Sequence, residues 1–376
     1  MKKLQLAIWG MSLLFMCCGS SGSKVKDIGR QEADSDSAVS QSELETPNKV
    51  KNSSSITLAV VGDIMMGTTY PENNLTADDG ASLFKDADSI LRRVDIAAGN
   101  LEGSLFDGKG QPKRCGNPNS CFTFKMPTRY SKYLVDAGFD FVSIANNHIN
   151  DFGPEAIEST QKVLTDAGIA FAGVAAKCPT TVIEKDGRKI GFAAFGFNPG
   201  MPSINNPEEV KSIVRGLRDK CDILVVSFHG GGEGVKFQHV PHGREIAFGQ
   251  DRGDVEKFAH TAVDAGADMV FGHSPHVTRA MELYNDRLIL YSLGNFCTPY
   301  KFNISGVNGY APIVEMTLNS DGTFAEGQIH SFIQQRGIGP RWDSSNIVAK
   351  NMRKLTQEDF PSTPLDISDT GKITRK

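Results

Sequence analysis

"ITLAVVGDIMMG", Ile56–Gly67, decides the fold. It is a short apolar run rich in Val and Ile, it ends at Gly62, and a carboxylate, Asp63, follows at once. Buried strands read this way. Outward from it the pattern recurs. "VDIAAG" (94–99) is followed by Asn100 and Glu102, and "FVSIA" (141–145) by Asn146, Asn147, His148 and Asp151. "DILVVSF" (222–228) leads into His229, three glycines and Glu233. "DMVFG" (268–272) precedes His273 and His276, and "LILYSLG" (288–294) precedes Asn295. "KIGFAAFG" (189–196) completes the set. Helical patterns lie between: Val255, Phe258, Ala259 and Ala262 before Gly266, and Tyr130, Tyr133, Leu134 and Ala137 before Gly138. Pro154 suits the first turn of a third helix. Strands alternating with helices predict an α/β fold. After Val307 a hairpin turning at Asp321–Gly322 is expected to close one edge of the domain.

The chain has 376 residues, 39% hydrophobic and 22% charged, with a net charge of -4. That is a globular composition without the broad basic surface that nucleic acid requires. Lys2 and Lys3 precede an apolar run, Leu4–Met16, that is too short to span a bilayer. This is the shape of a secretory signal over 1–18. Cys17 and Cys18 before Gly-Ser-Ser point to a lipoprotein, exported and held at the extracytoplasmic face by a lipid anchor; a plain cleaved signal and an uncleaved anchor are the alternatives. Residues 19–54 are polar and lack aromatics, so they read as a disordered tether. The folded domain is expected over 55–345. A C-terminal extension, 346–376, is expected to hold a final helix and a loose tail. "CGNPNSC" suggests a Cys115–Cys121 disulfide, with two unpaired thiols as the alternative.

In open α/β sheets the loops at the C-terminal strand ends lie together. Here those loops carry Asp, Glu, Asn and four of the 8 histidines, with few Lys or Arg. These are the oxygen and imidazole donors that hold Mg, Mn, Fe or Zn. Each has a plainer reading: Asp63 as a cap, Glu102 paired with a surface lysine, Asn146 and Asn147 as turn residues, His148 and His229 as core histidines. Independent plain causes would not place them all at strand ends. A nucleophile elbow, a GxxxxGK[ST] loop and a GxGxxG after a strand are all lacking. His239 and His242 offer a second constellation that could line the mouth of the site.

"GDIMMG", "NLEG", "GFDFVSIANNHINDFG", "SFHGGGE", "GADMVFGHSPHV" and "YSLGNF", in that order, resemble the bacterial CapA family of poly-gamma-glutamate capsule-synthesis proteins. The resemblance covers about Ile56 to Tyr300. It implies a calcineurin-like metallophosphoesterase fold, a four-layer α/β/β/α sandwich with two mixed sheets. It also implies one or two divalent metal ions held by Asp63, Glu102, Asn147, His229, His273 and His276. His148 resembles the residue acting on the leaving group, and Glu233 the acid after the family's histidine-tryptophan-glycine segment. Asp63, His148 and Glu233 are thus the implied catalytic residues. The chain departs from metallophosphoesterases at Met65, where they carry a histidine, at Glu102, where they carry Asp, and at Gly230, where a Trp is usual. The spacing of His273 and His276 is also one residue longer. The implied activity is a hydrolase or transferase using metal-activated water on a phosphoester or gamma-glutamyl substrate. The alternative is a non-catalytic accessory that binds an anionic polymer beside other capsule-synthesis proteins.

Overall fold

The computed structural model describes residues 55–114 and 122–376. The expected signal, tether and Cys115–Cys121 pairing lie outside them. Two mixed sheets form the centre. In the first, of nine strands, the order is Leu365–Ile367, Lys372–Arg375, Phe324–His330, Ile313–Leu318, Ile56–Ile64, Ile96–Leu101, Phe141–Ser143 and Ala170–Ala172. The short strand Asn295–Cys297 also pairs with the end of Ile56–Ile64. The second, of six strands, runs Met281–Tyr284, Arg287–Leu290, Met269–His273, Ile223–His229, Arg188–Gly196 and Thr180–Lys185.

Strand periodicity explains how the sheets stack, since alternate side chains point to opposite faces. Phe192 and Val225 join the first sheet's Leu58 and Val60 in one core, and the rings of Phe141 and Phe192 stack 4.1 Å apart between the sheets. Burying each such ring contributes roughly 1.5–3 kcal/mol. The neighbours Ala193, Phe195, Leu224 and Val226 face the other way. They pack against Val210, Val214 and Leu217 of helix Pro207–Arg218 and Phe258, Ala259 and Ala262 of helix Val255–Asp264. Helices Ser131–Ala137 and Pro154–Asp166 join the first sheet's core through Leu134 and Leu164. The result is the expected four-layer α/β/β/α sandwich.

The C-terminal region differs from expectation. The final helix forms as expected, but the tail after it is not loose. Helix Ile347–Asp359 buries Val348, Ala349, Met352 and Leu355, and Leu365–Ile367 and Lys372–Arg375 extend the first sheet. The hairpin of Ile313–Leu318 and Phe324–His330 forms as predicted, with Gly322 at φ +79°, but it is interior; the terminal strands make the edge. Leu365, Ile367 and Ile373 are buried, yet strands of three and four residues are too short to show a period. Cys297 is buried, whereas Cys221 is half-buried.

The first strand ends at a tight crossing. Asp63 N–H donates to the Gly294 carbonyl at 2.9 Å. A Cβ on Gly62 would stand 2.0 Å from that same oxygen, so backbone meets backbone and neither can yield. Gly62→Ala is expected to destabilise the chain by about 1–3 kcal/mol, as overpacking does. A urea midpoint unchanged from the wild type would contradict this crossing.

Candidate metal centre

Sheet register assembles the site. In the parallel pair, His229 lies opposite His273, and Asp63 lies opposite both Asn100 and Asn295. The C-terminal ends of the two parallel strand sets meet, with His273 Nδ1 3.4 Å from Asp63 Oδ1. His276 Nδ1 lies 2.9 Å from Asp63 Oδ2. The loop that carries these histidines holds Ser274 at φ +99° and His276 at φ +56°. Left-handed backbone at non-glycine residues is uncommon and clusters at functional sites.

Asp63 and Glu102 are both fully buried. Asn100 sits between them and donates its amide to Asp63 Oδ1 at 2.8 Å and to Glu102 Oε2. Asn146 fixes Asn100 in turn, donating to its Oδ1 at 3.0 Å and accepting the His148 backbone N–H. Both ring nitrogens of His229 and of His273, together with Glu102 Oε1 and Asn147 Oδ1, are buried without a hydrogen-bond partner. Buried polar atoms are normally paired. Asp63, Glu102 and His229 offer ligand atoms that all lie within 4.8 Å of one another. An oxygen and imidazole donor set with this many orphaned atoms fits a divalent cation.

The electrostatics agree. Burial and the neighbouring Asp63 charge push Glu102 well above the usual carboxylate range. Burial acts on Asp63 in the same sense, but the hydrogen bond with His276 and the adjacent His273 ring outweigh it and hold that carboxyl low. Burial would lower His276, yet the Asp63 hydrogen bond and the surrounding carboxylates raise it to about 9. Burial drives His229 well below its usual value.

His148 stands beside this cluster. Its Nδ1 lies 2.8 Å from Asp151 Oδ2, which leaves Nε2 facing Glu102 Oε1 at 3.9 Å. Asp151 is itself buried, accepts the Phe124 backbone N–H at 2.7 Å and pairs with Lys113 at 2.6 Å. The hydrogen bond to Asp151 sets the imidazole's tautomer, Nδ1–H donating. Burial lowers the His148 pKa, and Asp151 opposes the shift.

Most of the sequence-derived set therefore converges, but three residues do not. Glu233 pairs with Arg252 Nη1 at 2.6 Å and stands outside the ligand group. His239 pairs with Asp359, and His242 with Glu256, so that constellation ties the 230–242 loop to the terminal helix and to helix Val255–Asp264. Asn100, Asp151 and Lys113 hold the site together, yet the sequence did not mark them as doing so. The first two sit at strand-end loops, which was the available signal; Lys113 carries none.

Residues 57–300 match the family described as Bacterial capsule synthesis protein PGA_cap. The chain is 29% identical over 280 residues to the Capsule biosynthesis protein CapA of Bacillus anthracis, covering 69% of this chain and 63% of that protein. It is 33% identical over 271 residues to the PGA biosynthesis protein CapA of Bacillus subtilis, covering 67% and 66%. Less than two thirds of either relative is thus spanned. Among solved structures, a calcineurin-like phosphoesterase of Bacillus subtilis is similar at TM-score 0.43 and 13% identity, covering 74% of this chain and 91% of that one. With a family match over most of its folded length, the chain belongs to the bacterial capsule synthesis protein family.

Proposed function

We propose that this protein is a metal-dependent hydrolase or transferase of capsule or envelope polymer synthesis. It would work outside the cytoplasmic membrane, held there by a lipid anchor on the Cys17–Cys18 segment. The observation that carries the reading is the orphaned ligand set beside an oriented imidazole: Glu102, Asn147, His229 and His273 with unpartnered buried atoms, and His148 held by Asp151. Asp63, Glu102, Asn147, His229, His273 and His276 would hold the metal, as Mn, Fe, Zn or Mg. When bound, a divalent cation supplies Lewis-acid polarisation and a nucleophile available at neutral pH. The chain's own residues do the rest. Asn100 keeps both carboxylates in position. His148 Nε2 holds and transfers a proton at the leaving group, and Asp151 stabilises the imidazolium that forms. The relatives' printed names, capsule and PGA biosynthesis, favour an anionic polymer with gamma-glutamyl linkages over a small phosphoester.

One observation favours a second reading, a non-catalytic accessory that binds the polymer. Met65 is fully buried where metallophosphoesterases place a histidine, so the centre is one donor short.

Two measurements separate these readings. His148→Gln is expected to retain stoichiometric metal, since Nε2 is not in the ligand group, while turnover of a gamma-glutamyl or phosphoester substrate falls about 10²- to 10⁴-fold. Asp63→Ala should lose both. If Asp63→Ala restores capsule to a deletion strain, the accessory reading replaces the catalytic one. The second measurement concerns pH. A cation that coordinates Glu102 and His276 must displace the proton each holds, and His276 keeps its proton up to about 9. Metal binding should release protons, and affinity should rise with pH toward that value. Calorimetry in buffers of different ionisation enthalpy would show the release; an affinity independent of pH counts against this ligand set.

A further inference from the structure

Arg252 lies at the end of strand Gln250–Gly253, beside the metal ligands, and its side chain is only 4% exposed. Its guanidinium is framed by aromatic rings. The Phe197 ring is 4.3 Å from it and also stacks with His229 at 5.9 Å. A second ring, Phe248, is 5.7 Å away. Phe248 is 74% exposed and sits at φ +53° in a two-residue turn with Gly249 at φ +72°. Both central residues are left-handed, as a type I′ turn requires, and that position favours Asn, Asp or Gly over a bulky ring. An exposed phenylalanine in that conformation is kept for something other than the turn.

The guanidinium is only partly used. Nη1 takes both of its side-chain contacts, Glu233 at 2.6 Å and Ser274 Oγ at 3.4 Å. Nε is buried and has no hydrogen-bond partner. Arginine presents its donors as a planar fork that matches an oxyanion with two parallel hydrogen bonds. One edge of the fork is occupied by Glu233, and the Nε edge has a donor waiting. Glu233 in turn adds negative charge beside Glu102 and His276, so the pair lies within electrostatic reach of the centre.

We infer that Arg252 is the binding subsite for an oxyanion of the substrate, a carboxylate or a phosphate, next to the reacting bond. The oxyanion is held on the Nε edge, beside the Phe197 and Phe248 rings, with Glu233 on the other edge as a competitor for the same positive charge. This deepens the proposed function, because it rests on the neighbouring centre processing a polymer. An anionic chain laid over the strand ends would present one charged group per unit, and Arg252 would fix which unit faces His148.

The test is calorimetric binding of two separate probes, gamma-linked triglutamate and inorganic phosphate, to the full chain. Arg252→Met and Arg252→Lys should weaken the bound probe roughly 10- to 100-fold, Lys less than Met because it keeps charge without the fork. Glu233→Gln should tighten it, because the competitor is neutralised. Loss confined to triglutamate identifies the occupant as a carboxylate, and loss confined to phosphate identifies a phosphoryl group. If Arg252→Met does not fold, Arg252→Lys and Glu233→Gln carry the test through their opposite signs. Unchanged affinity in both of those variants overturns the subsite, as does a wild-type chain that binds neither probe. Binding is scored apart from turnover. A chain that binds through Arg252 but hydrolyses nothing keeps the subsite and rejects the hydrolase. A chain that hydrolyses with indifferent Arg252 and Glu233 variants does the reverse.

Discussion

The arrangement depends on burying two carboxylates, Asp63 and Glu102, at the place where two sheets end together. Like charges in a low dielectric repel strongly unless one is neutralised or both are compensated. The chain supplies both remedies. His276 and His273 hold Asp63 ionised, while Glu102 is pushed toward its protonated form. Asn100 then spans the pair with a single amide. Environments that drive neighbouring acids apart are a mark of sites built for chemistry. Here they fall on a buried cluster of oxygen and imidazole donors.

Around that pair the supports are graded. The nearest are rigid: His229 and His273 stand on paired strands and share one register. Next comes the His148 dyad, whose Asp151 is anchored by the Phe124 backbone and by Lys113. Farther out, Phe197 carries the stack from His229 to Arg252, and the loop from Gly230 to His242 is fastened to the terminal helix through Asp359 and to helix Val255–Asp264 through Glu256. Strand ends thus hold Asp63, His229 and His273, while His276 and the His148 dyad enter from loops.

Met65 is informative for the same reason. It is fully buried and apolar, two residues after Asp63, and supplies no oxygen or nitrogen donor there. The remaining donors are enough to leave several orphaned atoms aimed inward. His276, by contrast, reaches Asp63 from a loop rather than from a strand end.

Much of this was legible in the sequence, and the boundary of what was not is physical. Short apolar runs ending in polar residues identified the strands and placed Asp63, Glu102, His229 and His273 at their C-terminal ends, because burial and the period of two act locally along the chain. The terminal strands Leu365–Ile367 and Lys372–Arg375 escaped because the second pairs with residues some 45 positions away, Gln328 among them, the first pairs only with the second, and strands this short show no period. Partners were equally hidden. Glu233 went to Arg252, and His148 to an Asp151 pinned by Lys113, through contacts that only folding creates. Chain order alone thus settled the element types and the kinds of donor present. Tertiary structure settled which donors share a proton, which are left unpaired and which are occupied elsewhere, since those outcomes depend on distances of a few ångströms between strands far apart in sequence.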